Sequence, residues 1–136
     1  MNQTSTENVR EGGCACGAVR FRVTGAPSRV GMCHCMTCRR VHGSAFGSYA
    51  IFDRSRTAFT GDVSVWKSSE HGRRYFCPVC GSVAFMAYDD TDEVDVPIGA
   101  FDETGIFEPA YELWCRCKEP WLPHGVRKEY DTERNA

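Results

Sequence analysis

A chain of 136 residues is the size of one ordinary domain, able to bury a single core. With 42% hydrophobic and 25% charged residues it has globular composition, which leaves little room for a long disordered region. A formal net charge of −2 argues against general affinity for nucleic acid or an anionic membrane.

The segment from Met1 to Gly12 is polar and carries both signs of charge, with no apolar run that could core a secretory signal, and no later stretch could span a bilayer. The expectation is a cytoplasmic protein with a flexible N-terminal tail over residues 1–11, one folded domain over 12–127 and a solvated tail over 128–136. Between the tails, short apolar runs are broken by glycine, proline and polar turns, which predicts a mainly β fold. Val19-Arg20-Phe21-Arg22-Val23 alternates apolar with basic and is the clearest half-buried strand. Further strands are predicted from Phe46 to Phe52, Val63 to Lys67, Arg74 to Phe76, Val83 to Ala87, Val94 to Ile98 and Tyr111 to Cys115. One short helix is predicted from Met36 to Val41, closed by Gly43 where a helix-ending glycine usually stands. The acidic run from Asp89 to Glu93 lacks the glycine and distal glutamate of a calcium loop and reads as a turn between strands.

Nine cysteines is an odd number, and in a reducing compartment clustered cysteines serve as metal ligands or catalysts more often than as disulfides. Seven of them fall into three groups: Cys14 and Cys16; Cys33, Cys35 and Cys38; Cys77 and Cys80. Cys77-Pro78-Val79-Cys80-Gly81 has the form of a zinc knuckle, in which a tight turn brings two sulfurs to one side of the backbone. A knuckle supplies two of the four thiolates of a tetrahedral zinc. Cys14 and Cys16, set among Gly12, Gly13 and Gly17, can supply the other two.

That partition leaves Cys33, Cys35 and Cys38 with three ligands and an open fourth position, the arithmetic of a catalytic zinc site. The alternative, in which they share a metal with the knuckle, exceeds four ligands or strands a thiol. Cys14 and Cys16 could also be small buried hydrophobes, a reading their glycine flanks oppose. His34, between Cys33 and Cys35, would leave an extended backbone on the opposite face and reads as a supporting residue.

Three stretches in order carry a resemblance: Gly13-Cys14-x-Cys16-Gly17-x-Val19-Arg20-Phe21, then Cys33-His34-Cys35-x-x-Cys38-Arg39-Arg40-x-x-Gly43-Ser44-Ala45-Phe46, then Phe76-Cys77-x-x-Cys80-Gly81-Ser82. The chain resembles the glutathione-dependent formaldehyde-activating family, also called the CENP-V/GFA domain, from about Gly12 to Trp121. The resemblance implies a β-tent fold of small antiparallel sheets around a structural zinc, held by Cys14, Cys16, Cys77 and Cys80. It implies a catalytic zinc at Cys33, Cys35 and Cys38, and glutathione as co-substrate. The implied reaction is carbon–sulfur lyase chemistry, in which a thiol loses its proton at the open zinc position and meets formaldehyde to give S-hydroxymethylglutathione.

Arg39 and Arg40, beside the open site, are candidates for glutathione's two carboxylates, with solvent exposure at a helix end as the plain alternative. Phe46, Tyr49, Trp114 and Trp121 could wall a pocket or pack the core, and Ser44 and Ser82 could bond a ligand or serve a turn. Two features depart from the family pattern. Cys115-Arg116-Cys117 is additional; on a strand the two sulfurs would share a face. Members often carry histidine and an aliphatic residue where Glu112-Leu113 stands here. Two other function classes fit a cysteine-rich β domain: a non-enzymatic zinc-binding interaction module, and a redox enzyme of the methionine sulfoxide reductase type, whose catalytic motif is missing. The partners expected are a small thiol and an aldehyde, with no nucleic acid and no membrane.

Overall fold

A computed structural model describes residues 8–135 and contains two sheets and one α-helix. The smaller sheet is antiparallel and orders β1 (Val9–Gly13), β2 (Arg20–Thr24) and β5 (Thr57–Thr60) side by side. The larger holds eight strands, β3 (Arg29–Cys33), β4 (Gly47–Asp53), β6 (Ser64–Lys67), β7 (Gly72–Phe76), β8 (Val83–Tyr88), β9 (Glu93–Pro97), β10 (Tyr111–Leu113) and β11 (Lys128–Glu129). Its order is β11-β10-β3-β4-β9-β8-β7-β6. Between β3 and β4 runs helix α1 (Met36–His42), whose C-cap Gly43 sits at φ 58°, ψ 37°. That left-handed conformation suits glycine, which has no Cβ to clash there.

The two-residue period of the strands divides the large sheet into two faces with different tasks. On β4, Ala50 and Phe52 join Phe21, Val23, Val94, Val96 and Phe101 in the main core, which lies where the two sheets meet. The alternate residues Tyr49 and Ile51 turn the other way and pack with Cys38, against Cys33 and Cys35. β9 repeats the division: Val94 and Val96 enter the core, while Asp95 between them lines a cavity. Registers between neighbours place Arg29, Ile51, Asp95, Met86 and Arg74 in one row across five strands.

Mainly β structure with one short helix is what the sequence pattern predicts, and the acidic run is the turn joining β8 to β9. Four differences have physical causes. The large sheet is mixed, because β10 lies parallel to both β3 and β11. Val9–Gly13 pairs residue by residue with β2, so a strand begins inside the segment expected as tail; residues 1–7 lie outside the described residues. At the other end, β11 and Tyr130, whose N–H donates to Glu112 O, tie residues 128–130 to the sheet edge. β3 escaped prediction because Arg29 and Gly31 interrupt its apolar pattern. Gly31 is required by packing: a Cβ there would stand 2.3 Å from the Tyr111 ring of the paired strand. Among the described residues no helix is long and apolar enough to cross a membrane.

Candidate functional site

Two of the predicted cysteine groups assemble into one cluster. Cys14 and Cys16 follow β1, and Cys77 and Cys80 occupy the turn between β7 and β8, so this cluster joins the small sheet to the large one. All four sulfurs lie within 4.8 Å of one another, with Cys14–Cys16 at 3.7 Å and Cys16–Cys77 at 3.8 Å. Tetrahedral geometry with zinc–sulfur bonds of about 2.3 Å sets neighbouring sulfurs about 3.8 Å apart, so the donor set fits a thiolate-bound ion. Backbone N–H groups face the sulfurs: Val19 donates to Cys14 Sγ at 3.2 Å and Val79 to Cys77 Sγ at 3.4 Å. Ser82 Oγ lies 3.1 Å from Cys80 Sγ and accepts from the Ala15 N–H, which makes it part of this turn. Its contact lowers the Cys80 thiol to about 5.

Cys33, Cys35 and Cys38 form the second cluster, again with sulfurs within 4.8 Å of one another. β3 delivers Cys33, Cys35 caps the N-terminus of α1 by accepting from the Cys38 N–H at 3.3 Å, and the first turn of the helix presents Cys38. Cys38 has further donors. The Tyr49 hydroxyl donates to its sulfur at 3.3 Å and Arg74 Nη2 at 3.5 Å, while Tyr49 itself accepts from Arg74 Nη1 and from His42 Nε2 at 2.7 Å. Hydrogen bonds from Cys33 and Cys35, then from Tyr49, together with the positive charge of Arg74, pull the Cys38 thiol far below its ordinary range against the effect of burial. Cys33 moves the opposite way, pushed far up by its two neighbours and by burial. Three crowded thiols share one negative charge readily and three only with a cation among them, so this donor set also suits a metal ion.

All three of these cysteines line a cavity of about 520 Å³, which Arg29, Asp95 and Arg74 line as well. Tyr49 and Trp114 line it too, as the sequence allowed, whereas Phe46 lies at a separate groove and Trp121 is 70% exposed. Arg39 and Arg40 do not face this cavity. Arg39 donates to Glu119 Oε2 at 2.6 Å and to Cys117 O, and both arginines line a shallower groove with Trp121. The arginines that do line the cavity are Arg29, Arg74 and Arg134.

Behind Cys33 and Cys35 lies a buried network in which His34 is the supporting residue expected, while its pairing with Glu112 and Lys118 escaped the sequence reading. His34, fully buried, donates from Nε2 to Glu112 Oε1 at 2.8 Å, and Lys118 Nζ reaches the same oxygen at 2.9 Å. Burial alone would raise the Glu112 carboxyl; bonds from Lys118 and His34 outweigh it and hold it below the ordinary carboxylate range. Cys115 and Cys117 follow β10 in a short 3-10 turn instead of a strand, entered through Trp114 at φ 57°. Cys115 lies beside His34 and Glu112; Cys117 is outside that group. A glutamate between Tyr111 and Leu113 on a strand bordered by Trp114 was the available signal for burial.

The fold and site define a mainly β protein with two cysteine clusters able to hold metal ions, one closed by four sulfurs and one of three sulfurs facing a cavity. The chain belongs to the glutathione-dependent formaldehyde-activating enzyme family, whose model matches residues 9–117. A Halomonas elongata protein provisionally named as a member of that enzyme family is 34% identical over 136 aligned positions, covering 88% of this chain and 83% of its own. A Schizosaccharomyces pombe protein named as an uncharacterized lyase is 30% identical over 78 residues, a match spanning 57% of each chain. In fold, a solved Rhodobacter sphaeroides protein is similar with a TM-score of 0.57 at 21% identity, covering 71% of this chain and 90% of that one.

Proposed function

We propose that the protein is a zinc-dependent carbon–sulfur lyase of the cytoplasm, with zinc in both cysteine clusters, glutathione as thiol and formaldehyde or a related aldehyde as electrophile. The observation that carries this reading is the cluster of Cys33, Cys35 and Cys38, which leaves a fourth tetrahedral position and lines the cavity with all three residues. Family membership and the names of the two relatives support the reaction class. All nine cysteines are free of disulfides, which leaves their sulfurs available as metal ligands.

The reaction joins a thiol to a carbonyl carbon: the S–H bond breaks, a carbon–sulfur bond forms, and the carbonyl oxygen takes up a proton, giving S-hydroxymethylglutathione. Zinc bound at the three cysteines would supply the positive charge that keeps a substrate sulfur deprotonated near neutral pH. The chain's own residues shape the rest. Tyr49 and Arg74 brace Cys38 by hydrogen bonds to its sulfur, and Ile51 and Met86 give the cavity apolar wall between its charged groups. A volume of about 520 Å³ lies within the range of small-molecule sites and accommodates a tripeptide thiol.

The test is the rate of S-hydroxymethylglutathione formation from carbon-13 formaldehyde and glutathione, followed by exchange NMR. Zinc-loaded protein should accelerate formation over the spontaneous rate and the Cys35→Ser variant should not. A spontaneous rate unchanged by the wild-type protein overturns the proposal.

A further inference from the structure

The cavity holds an unusual share of unanswered polar atoms. Among the described residues, Arg29 Nε, Ser68 Oγ, Arg74 Nε and Asp95 Oδ1 are buried without a hydrogen-bond partner, and all four residues line this one cavity. The terminal nitrogens of Arg29 are engaged by Glu93 at 2.6 and 2.8 Å, and those of Arg74 by Tyr49 and Cys38. Their Nε–H groups remain as donors.

Asp95 is the pivotal member of this set. It is 9% exposed, its Oδ2 accepts from the Tyr88 hydroxyl at 3.1 Å, and no lysine or arginine forms an ion pair with it among the described residues. Burial lifts its carboxyl to about 6 in spite of Arg29 and Arg74, with Glu93 adding to the rise. A buried carboxylate with one free oxygen calls for a cationic N–H partner. In its row it stands between two apolar residues, Ile51 and Met86, and beyond them the two arginines. An acceptor with an arginine N–H donor in the same cavity is the complement of an amino acid's ammonium and its carboxylate.

The row passes beside the cysteines: Ile51, the cross-strand partner of Asp95, packs with Cys38, and Arg74 Nη2 lies 3.5 Å from the Cys38 sulfur. A thiol held at the three cysteines therefore shares one cavity with Asp95.

We propose that Asp95 recognises the protonated amine of a thiol substrate held in this cavity. The inference rests on the thiol reading above and names a specificity-determining residue within it. Its test is calorimetric titration of zinc-loaded wild-type protein and Asp95→Asn with glutathione and with glutaryl-cysteinyl-glycine, the same peptide without the amine. Wild-type protein should bind the analogue at least tenfold more weakly than glutathione. Asp95→Asn should weaken glutathione by a similar factor and leave the analogue unchanged. Equal affinity of the wild type for the two peptides, or unaltered glutathione binding by a folded Asp95→Asn, overturns the role of Asp95 and leaves the thiol reading standing. Failure of the wild type to bind either peptide overturns both. The comparison of peptides on the wild type needs no variant, so a folding defect in Asp95→Asn cannot decide it.

Discussion

The hydroxyl of Tyr49 donates to the sulfur of Cys38 at 3.3 Å, reaching from the centre of the large sheet to the first turn of the helix. This bond orients a proposed zinc ligand and draws charge from its sulfur. Such supporting bonds are typically worth about 10- to 100-fold in metal affinity. Tyr49→Phe should therefore weaken zinc at the three-cysteine site by about that factor in competition with a chromophoric chelator. The second zinc of each chain should be held as before.

The four-cysteine cluster joins the two sheets, whereas the three-cysteine cluster sits within one sheet and the helix attached to it. Loss of metal from the first should cost several kcal/mol and lower Tm on the order of 10 °C. Cys77→Ser should show this drop in thermal melting. Cys35→Ser should lose one zinc per chain and melt within a few degrees of wild type.

Glu112 and Lys118 have side chains only 1% exposed each, so removing one strands a buried charge. Breaking such a pair costs about 3–5 kcal/mol. Glu112→Ala should show that loss in urea denaturation. It should also loosen the junction of β3 and α1 that bears Cys33 and Cys35, since His34 loses its partner.

Asp95 sets a pH dependence whose sign follows from burial. Its carboxyl is raised from 3.8 to about 6 in the folded state, so between those values the native form binds the additional proton. Stability from this group falls as pH rises through the window, and the full cost is present above about pH 6. Below 3.8 both states are protonated and the group contributes nothing. Asp95→Asn should gain up to about 3 kcal/mol over wild type at pH 7.5 and little at pH 4. Parallel denaturant titrations at the two pH values measure the difference; equal gains at both would contradict it.

The cysteine clusters were legible because their signal is local: Cys77 to Cys80 and Cys33 to Cys38 declare themselves by spacing within a few residues. The helix and its Gly43 cap were legible for the same reason. What escaped was set by pairing across the chain. Arg39 looked free beside the open site, yet Glu119, 80 residues on, claims it. Arg29, Asp95 and Arg74 come from three strands and meet in one row only through sheet register. Glu112 reads as an ordinary strand residue until His34 and Lys118 converge on it. Even so, Val94-Asp95-Val96 held a trace: with both valines in the core, the alternation turns Asp95 to the other face.

The central claim is that one of two zinc ions lacks a fourth protein ligand and takes the substrate's sulfur there. X-ray absorption at the zinc edge counts those sulfurs. The account predicts an average of about 3.5 sulfurs per zinc in the two-zinc protein, rising to about 4 when glutathione is added. An average of 4 before addition, or no rise after it, would contradict the account.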